Sequence, residues 1–177
     1  MKTLLLIAAC FIILASCAPA KHAVNTKLPS PYEFTLIDSV KGAKDELFVK
    51  ANEWVAKSFV DAKSVIQMHD KEAGKIIAKG VMTVNTSFML YTLTNHVSYT
   101  ATISIKEGKY KIVLDNFELF ETVTTSRVVP CSSSLDKTSS PCIQGNQWDK
   151  IRWGCYSQAQ NFLLSFKSGM KKQTQDF

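Results

Sequence analysis

The chain has 177 residues, 46% of them apolar, and 21 basic against 15 acidic side chains, a formal balance of +6. That length suits one domain with a short tether and is enough to bury a real core. The basic excess is mostly dispersed lysine, which reads as a solvated face rather than a polyanion site, with Lys167, Lys171 and Lys172 concentrating part of it near the C-terminus.

At the N-terminus Lys2 precedes an unbroken apolar run, Leu4 to Ala15. About 12 residues is the length of the central region of a secretory signal, whereas a bilayer span needs about 20. Leu14-Ala15-Ser16-Cys17 resembles the bacterial lipobox, L-[AS]-[AGS]-C, at every position. The resemblance implies cleavage before Cys17, a diacylglycerol thioether on its sulfur and an acyl chain on the new amino group. One acyl chain binds a membrane marginally, and several hold firmly. The alternative is a buried N-terminal helix that happens to contain Cys17. Residues 1–16 are thus expected to be the signal and residues 17–31, with three prolines, a lipidated flexible tether. Ala18 stands where an inner-membrane retention signal would place Asp, which favours the outer membrane, facing the periplasm. The expected partners are the membrane itself and an envelope protein or cell-wall glycan. A lipidated exported protein rarely meets nucleic acid, so none is expected, and no cofactor is implied.

YEFTLIDSV, residues 32–40, is rich in β-branched and aromatic residues and reads as a strand ended by Gly42. In KDELFVKANEWVAKSFVDAK, Leu47, Ala51, Trp54, Val55, Ser58 and Phe59 recur at steps of three and four, the spacing of a helix face. Asp45 and Glu46 in its first turn and Lys57 and Lys63 near its end complement the helix dipole. Trp54 belongs to the core rather than to a ligand platform on this pattern. SVIQMHD and KIIAKGVMTV then flank DKEAG, where Gly74 permits the positive φ of a tight hairpin. NTSFMLYTLTN, residues 85–95, either extends the strands or forms a bulky loop. Val97, Tyr99, Ala101, Ile103 and Ile105 alternate with Ser98, Thr100, Thr102 and Ser104, a half-buried strand with one hydroxylic face. Glu107-Gly108 closes a second hairpin into YKIVLDNFELFETV, where a change of phase near Asp115 suggests a bulge.

Residues 124–145, rich in Ser, Thr and Pro, read as a loop. Cys131 and Cys142 within it are the better-placed disulfide pair in an oxidising compartment. Closing so short a loop would stabilise by roughly 3 kcal/mol in the chain-entropy account. Cys155 is then a buried free thiol; its pairing with either loop cysteine is the alternative. No CxxC or HxxxH spacing points to zinc. From Asn146 onward Trp148, Ile151, Cys155, Ala159, Phe162 and Phe166 recur at helical steps. The order β-α-β-β-β-β-α predicts an α+β fold: an antiparallel sheet of about five strands with two helices packed on one face. It occupies residues 32–170, with a basic tail at 171–177.

The stretch ELFVKANEWVAKSFVDAKSVIQMHDKEAGKIIAKG, residues 46–80, carries a Trp54 helix, a Val65-Ile66-Gln67 strand and an Asp70-Lys71-Glu72-x-Gly74 turn. In these features the chain, over about residues 32–121, resembles uncharacterised lipoproteins, mostly of Bacteroidota, that carry a domain of unknown function with a TATA-box-binding-protein-like fold. The resemblance implies the same curved antiparallel sheet backed by helices. It brings no activity and no catalytic residues, and likeness of fold to a DNA-binding protein does not transfer DNA binding.

Two surfaces are candidates for binding. His69, Asp70 and Glu72 form the densest titratable cluster, HDKE. A hairpin turn gathers such residues for their tolerance of turn geometry and water, and the competing reading is an envelope hydrolase with a histidine base and carboxylate partners. The hydroxylic face Ser98, Thr100, Thr102 could bind a partner or glycan, or be the ordinary wet face of an antiparallel sheet. His22 and His96 have no visible partner in sequence. Asp38-Ser39-Val40 weakly resembles an O-glycosylation acceptor of Bacteroidota. No GxSxG, HExxH, P-loop or dinucleotide fingerprint occurs. The expected function is therefore a lipid-anchored, non-catalytic binding module of the cell envelope.

Overall fold

The computed structural model describes residues 27–59, 66–124 and 127–171. The signal, Cys17, most of the tether with His22, Lys63 and the tail beyond Lys171 lie outside the described residues. Strand β1 (Phe34–Ser39) leads to helix α1 (Lys44–Ser58), then β2 (Ile66–Asp70), β3 (Lys75–Phe88), β4 (Tyr91–Lys106), β5 (Lys109–Val123), β6 (Val128–Ser134) and helix α2 (Asn146–Lys171). All pairings are antiparallel, in the order β1-β5-β4-β3-β2. Strand β6 pairs with the far half of β5, so β1 and β6 share one edge of β5, end to end.

The sheet has six strands where the sequence pattern predicts about five. The additional one, β6, lies inside the segment read as a loop. Its apolar signal is small because it is an edge strand pairing only with β5, which tolerates Pro130. Its inward positions are the small Cys131 and Ser133. The ambiguous segment 85–95 extends the strands: β3 and β4 pair continuously from Lys75↔Ser104 to Phe88↔Tyr91.

Alternation fixes which face is covered. Ile76, Ala78, Met82 and Val84 of β3, Val97, Tyr99, Ala101, Ile103 and Ile105 of β4, and Tyr110, Ile112 and Leu114 of β5 are all buried. Both helices pack on this face. Helix α1 contributes Leu47, Phe48, Ala51 and Val55, and α2 contributes Trp148, Ile151, Cys155, Ala159, Leu163, Phe166 and Met170. Trp54 meets Phe162 and Phe166 edge-on at 4.8 and 5.0 Å, and Phe166 meets Tyr110 at 5.2 Å, so Trp54 is a seam between the helices. Each large apolar side chain fully buried in this layer contributes roughly 1.5–3 kcal/mol. Helix α1 stops at Ser58, short of the predicted helical run. At its start Ala43 has no capping side chain, and the Glu46 carboxylate accepts the Ala43 N–H instead at 3.3 Å.

Strand β5 changes phase twice. Register shifts separate Ser98↔Glu118 from Thr100↔Asp115, and His96↔Glu121 from Val97↔Leu119. The first coincides with Asn116 at φ 52°, beside the expected position of the bulge. The buried set of β5 therefore runs Tyr110, Ile112, Leu114, then Phe117 and Leu119, then Thr122.

The Cys131–Cys142 disulfide is formed, with Cα atoms 5.9 Å apart, and Cys155 is a buried free thiol. The loop it closes is clasped to α2. Trp148 Nε1 donates to the Lys137 carbonyl at 3.0 Å, and Arg152 Nε donates to the Leu135 carbonyl at 3.2 Å. The Tyr32 N–H donates to Asp136 at 2.7 Å, and its hydroxyl donates to the Arg152 carbonyl.

Candidate functional site

The face of the sheet opposite the helices carries the side chains left over by the buried alternation. Cross-strand pairing arranges them in rows. One row runs Asp70, Lys75, Ser104, Lys111 and Ile37. The next runs Met68, Ile77, Thr102, Val113 and Thr35, and a third places Lys79 opposite Thr100 and Thr100 opposite Asp115. Ser98, Thr100 and Thr102 stand in adjacent rows and are half-buried between their neighbours. Ile37 and Val81, 66% and 57% exposed, show that no described element covers this face on either flank. The Ser98 hydroxyl donates to the Glu118 carbonyl at 3.3 Å, and the Ser132 hydroxyl donates to the Glu118 carboxylate.

The face is electrostatically divided. Lys75 and Lys111 share the row nearest the Gly74 and Gly108 turns, Lys79 and Asp115 flank Thr100 two rows on, and Glu118 and Glu121 follow along β5 beyond it. Burial raises the Asp115 carboxyl above the ordinary Asp range, the Glu33 charge adds to this, and the Asn116 amide pulls it partly back. A pair that sequence reading missed lies here too: His96 Nδ1 is 2.6 Å from Glu121 Oε1. The carboxylate accepts, so Nδ1 carries a proton. Phe120, on the bulge, has its ring centroid 6.1 Å from the imidazole. Hydroxyls, an oriented imidazole, carboxylates and lysines on one surface can hydrogen-bond a polar partner.

The HDKE cluster is not gathered into one site. Opposite His69 on β3 is the fully buried Ile76, and the His69 ring packs edge-on against Phe48 of α1 at 4.9 Å, on the helix side. Asp70 pairs with Lys75 in the adjacent row, and its carboxylate accepts the Ala73 N–H at 2.7 Å, closing the turn. Lys71 pairs with Asp45 of α1 at 3.0 Å, and Lys44 Nζ donates to the Glu72 carbonyl. These groups brace the turn against the start of α1. Among the described residues no three or more His, Cys, Asp or Glu side chains could hold a metal.

Residues 35–120 match the family described as a domain of unknown function, DUF4468, with a TBP-like fold. The segment belongs to the DUF4468 family. No curated protein matches the chain. Among solved structures, a DUF4468 family protein from Bacteroides ovatus is 12% identical and superposes with a TM-score of 0.61 over 82% of this chain and 89% of its own. A TBP-like protein from Parabacteroides distasonis is 11% identical, with a TM-score of 0.65 over 78% of this chain and 92% of its own. At these identities the likeness is one of fold. Its coverage reaches beyond residues 35–120.

Beside the DUF4468 domain's open face a shallow groove of about 370 Å³ lies between β1 and α2. Lys27, Pro29, Leu36, Tyr156, Leu163 and Leu164 line it, and none of the candidate residues does. The Cys155 thiol is pushed up to about 12 by burial, which makes it a poor nucleophile. Asp38, flagged in the sequence as a glycosylation motif, lies at the end of β1 opposite Tyr110. Its Oδ2 is 3.2 Å from Lys167 Nζ and 3.4 Å from Lys171 Nζ, which occupies two of the three C-terminal lysines in ion pairing.

Proposed function

We propose that this chain is a lipid-anchored protein of the cell envelope, on the periplasmic side of the outer membrane. In this reading its DUF4468 domain is a non-catalytic module that binds an envelope protein or cell-wall glycan through the open sheet face. The observation that carries the binding role is the face that no described element covers, with Ser98, Thr100 and Thr102 in adjacent rows and Thr100 between Lys79 and Asp115. The lipobox Leu14-Ala15-Ser16-Cys17 supports the anchor. The Cys131–Cys142 disulfide suits an oxidising compartment. No described helix is long and apolar enough to cross a membrane. A hydrolase built on His69, Asp70 and Glu72 draws no support from their arrangement, because the imidazole and the Asp70 carboxylate project from opposite sides of β2.

Two measurements test the two halves. Cys17→Ser should abolish processing and membrane fractionation, and intact-mass analysis of the native protein should find acyl groups and no Met1. Unaltered fractionation would remove the anchor. For the face, photo-crosslinking residues placed at Thr100 and at Lys57, on the helix side, are compared in intact cells. Adducts specific to Thr100, lost on Ser98→Glu and Thr102→Glu, are expected; equal labelling at both positions would remove the binding role.

A further inference from the structure

The distal end of the β3–β4 hairpin is built against the usual rules for an exposed turn. Phe88, Met89, Leu90 and Tyr91 are 49%, 84%, 97% and 59% exposed, four consecutive large apolar side chains. From Gly80 to Asn95 the chain carries no Asp, Glu, Lys, Arg or His. The turn itself is the residue pair Met89-Leu90, with Met89 at φ 53°, where two-residue hairpins ordinarily use Gly, Asn or Asp. A bulky residue held in the left-handed region is an outlier that invites a functional explanation. Exposed apolar clusters of this kind mark contacts with other proteins or with membranes.

We propose that this hairpin tip inserts into the surface of the bilayer that holds the lipid anchor, giving the domain a second membrane contact and a fixed orientation. The inference rests on the anchor reading for the identity of the occupant. Three observations favour lipid over a protein partner. The first is reach. Lys27 lines the groove with Gln160 of α2, and Gln147 of the same helix donates to the Ser87 carbonyl at 3.0 Å, next to the tip. From Gln160 to Gln147 is about 20 Å of helix, and the remaining strand to the turn adds about 7 Å. The stretch from Cys17 to Lys27 spans at most about 35 Å, so anchor and tip can enter one bilayer together.

The second is charge. Lys150 Nζ stands 3.5 Å from the Ser87 carbonyl, at the base of the tip. Strand β5 ends at Val123 opposite Thr94, and β6 is preceded by the exposed Arg127, whose carbonyl accepts the Thr124 N–H. These cations sit about 10 Å behind the turn, the depth of anionic headgroups when an apolar element lies about 5–10 Å into the interface. Nearby carboxylates are engaged, Asp149 with Arg152 at 3.8 Å and Glu121 with His96. The third is chemistry. The aromatic Phe88 and Tyr91 flank Met and Leu, and Tyr91 brings an amphipathic ring suited to the water–lipid boundary.

The test uses the full mature chain with Leu90→Cys carrying an environment-sensitive fluorophore; the native thiols are acylated, disulfide-bonded or buried. It is reconstituted in phosphatidylethanolamine–phosphatidylglycerol vesicles containing nitroxide lipids, with a Lys57→Cys probe as the control. Expected is a blue shift and quenching by acyl-chain nitroxides at position 90 and neither at position 57, with Met89→Asp abolishing both effects. An anchored protein that floats with the vesicles while its Leu90 probe stays in water overturns the insertion and leaves the anchor intact. A probe that shifts without lipid, in proportion to protein concentration, also overturns it and assigns the tip to a second copy of the chain. If native protein proves unacylated, the anchor reading fails, and the same quenching on the Cys17→Ser chain at raised lipid concentration decides the tip alone.

Discussion

The two ends of the β3–β4 hairpin are the same pair of strands treated in opposite ways. At the base, three turns are laced together. The Ile105 N–H donates to the Gly74 carbonyl at 2.7 Å, Gly108 N–H to Gly42 at 3.2 Å, and Val40 N–H to Gly108 at 3.0 Å. The Lys44 N–H donates to the Glu107 carboxylate at 2.9 Å, and Lys71–Asp45 and Asp38–Lys167–Lys171 add ion pairs. Glycines occupy the positive-φ positions. At the tip there is no glycine and no charge. Between the two ends lies a buried amide: Asn95 Nδ2 donates to the Val84 carbonyl at 2.9 Å, and its Oδ1 accepts the Thr122 hydroxyl at 2.9 Å. The contrast teaches that the titratable turn singled out by sequence has a structural job, and that the apolar turn, which has none, is free for another.

Breaking the base should have the largest effect. A Cβ on Gly74 would sit 2.4 Å from the Ile105 carbonyl oxygen, at φ +65°. Gly74→Ala should therefore cost about 3 kcal/mol, strain and clash together. Gly108 has nearly the same φ, +67°, and open space around it. Gly108→Ala should then cost only about 1 kcal/mol, the backbone share alone. Urea unfolding with the disulfide intact measures both; equal losses would show that the lacing around Gly74 is not what distinguishes the base. Asn95→Ala comes next, at roughly 2 kcal/mol, because it strands the Thr122 hydroxyl and the Val84 carbonyl in the interior. Hydrogen exchange should show that loss concentrated in the distal half of the hairpin.

Where the sequence could be read and where it could not follows the same division. The alternation Val97 to Ile105 is legible because one face is buried against helices, so each second residue is forced to be apolar. Gly74 and Gly108 are legible because their φ values leave little else. The His96–Glu121 pair was not. In the register set by Ile103↔Ile112, continued without interruption, His96 would face Leu119. Two bulged residues in β5 bring Glu121 there instead, and only the first, near Asp115, disturbs the visible pattern. The second falls at Phe120, where the neighbouring Leu119 and Phe117 are also apolar and hide the slip. Strand β6 was hidden by Pro130 and serine, which edge pairing accepts and periodicity does not register.

Asp38 offers a pH test of the base. Hydrogen bonding and charge from Lys167, with the Ser39 N–H and Lys171, hold its carboxyl below the ordinary Asp range in the folded protein. The group binds a proton more readily when unfolded, so its contribution is present above the unfolded pKa and is lost as pH falls through the folded one. Asp38→Asn should accordingly lower stability at neutral pH, with the difference from wild type vanishing at the acid end. Asp115 has the opposite sign: its raised carboxyl disfavours folding once pH climbs past the unfolded pKa, so Asp115→Asn should gain stability at neutral pH. Paired melting curves from acid to neutral pH check the directions; a constant Asp38→Asn offset at every pH would show that packing, not charge, is at stake.

The smallest effect separates the ends most sharply, because it is predicted to run the other way. Met89 holds φ 53° with a full side chain that is 84% exposed. Replacing it by glycine removes the penalty of the left-handed region and forfeits almost no burial; glycine's greater freedom in the unfolded chain offsets part of the gain. Met89→Gly should thus stabilise by about 0.5 kcal/mol, a rise in Tm of about 1–2 °C, whereas a glycine-removing change at the base can only lose. A tip selected for stability would already carry that glycine. If Met89→Gly instead lowers Tm, the side chain is supporting the fold, and its exposure no longer argues for a role outside it. If stability rises while the membrane contact of the Leu90 probe weakens, the methionine is kept at the expense of the fold for what the tip touches.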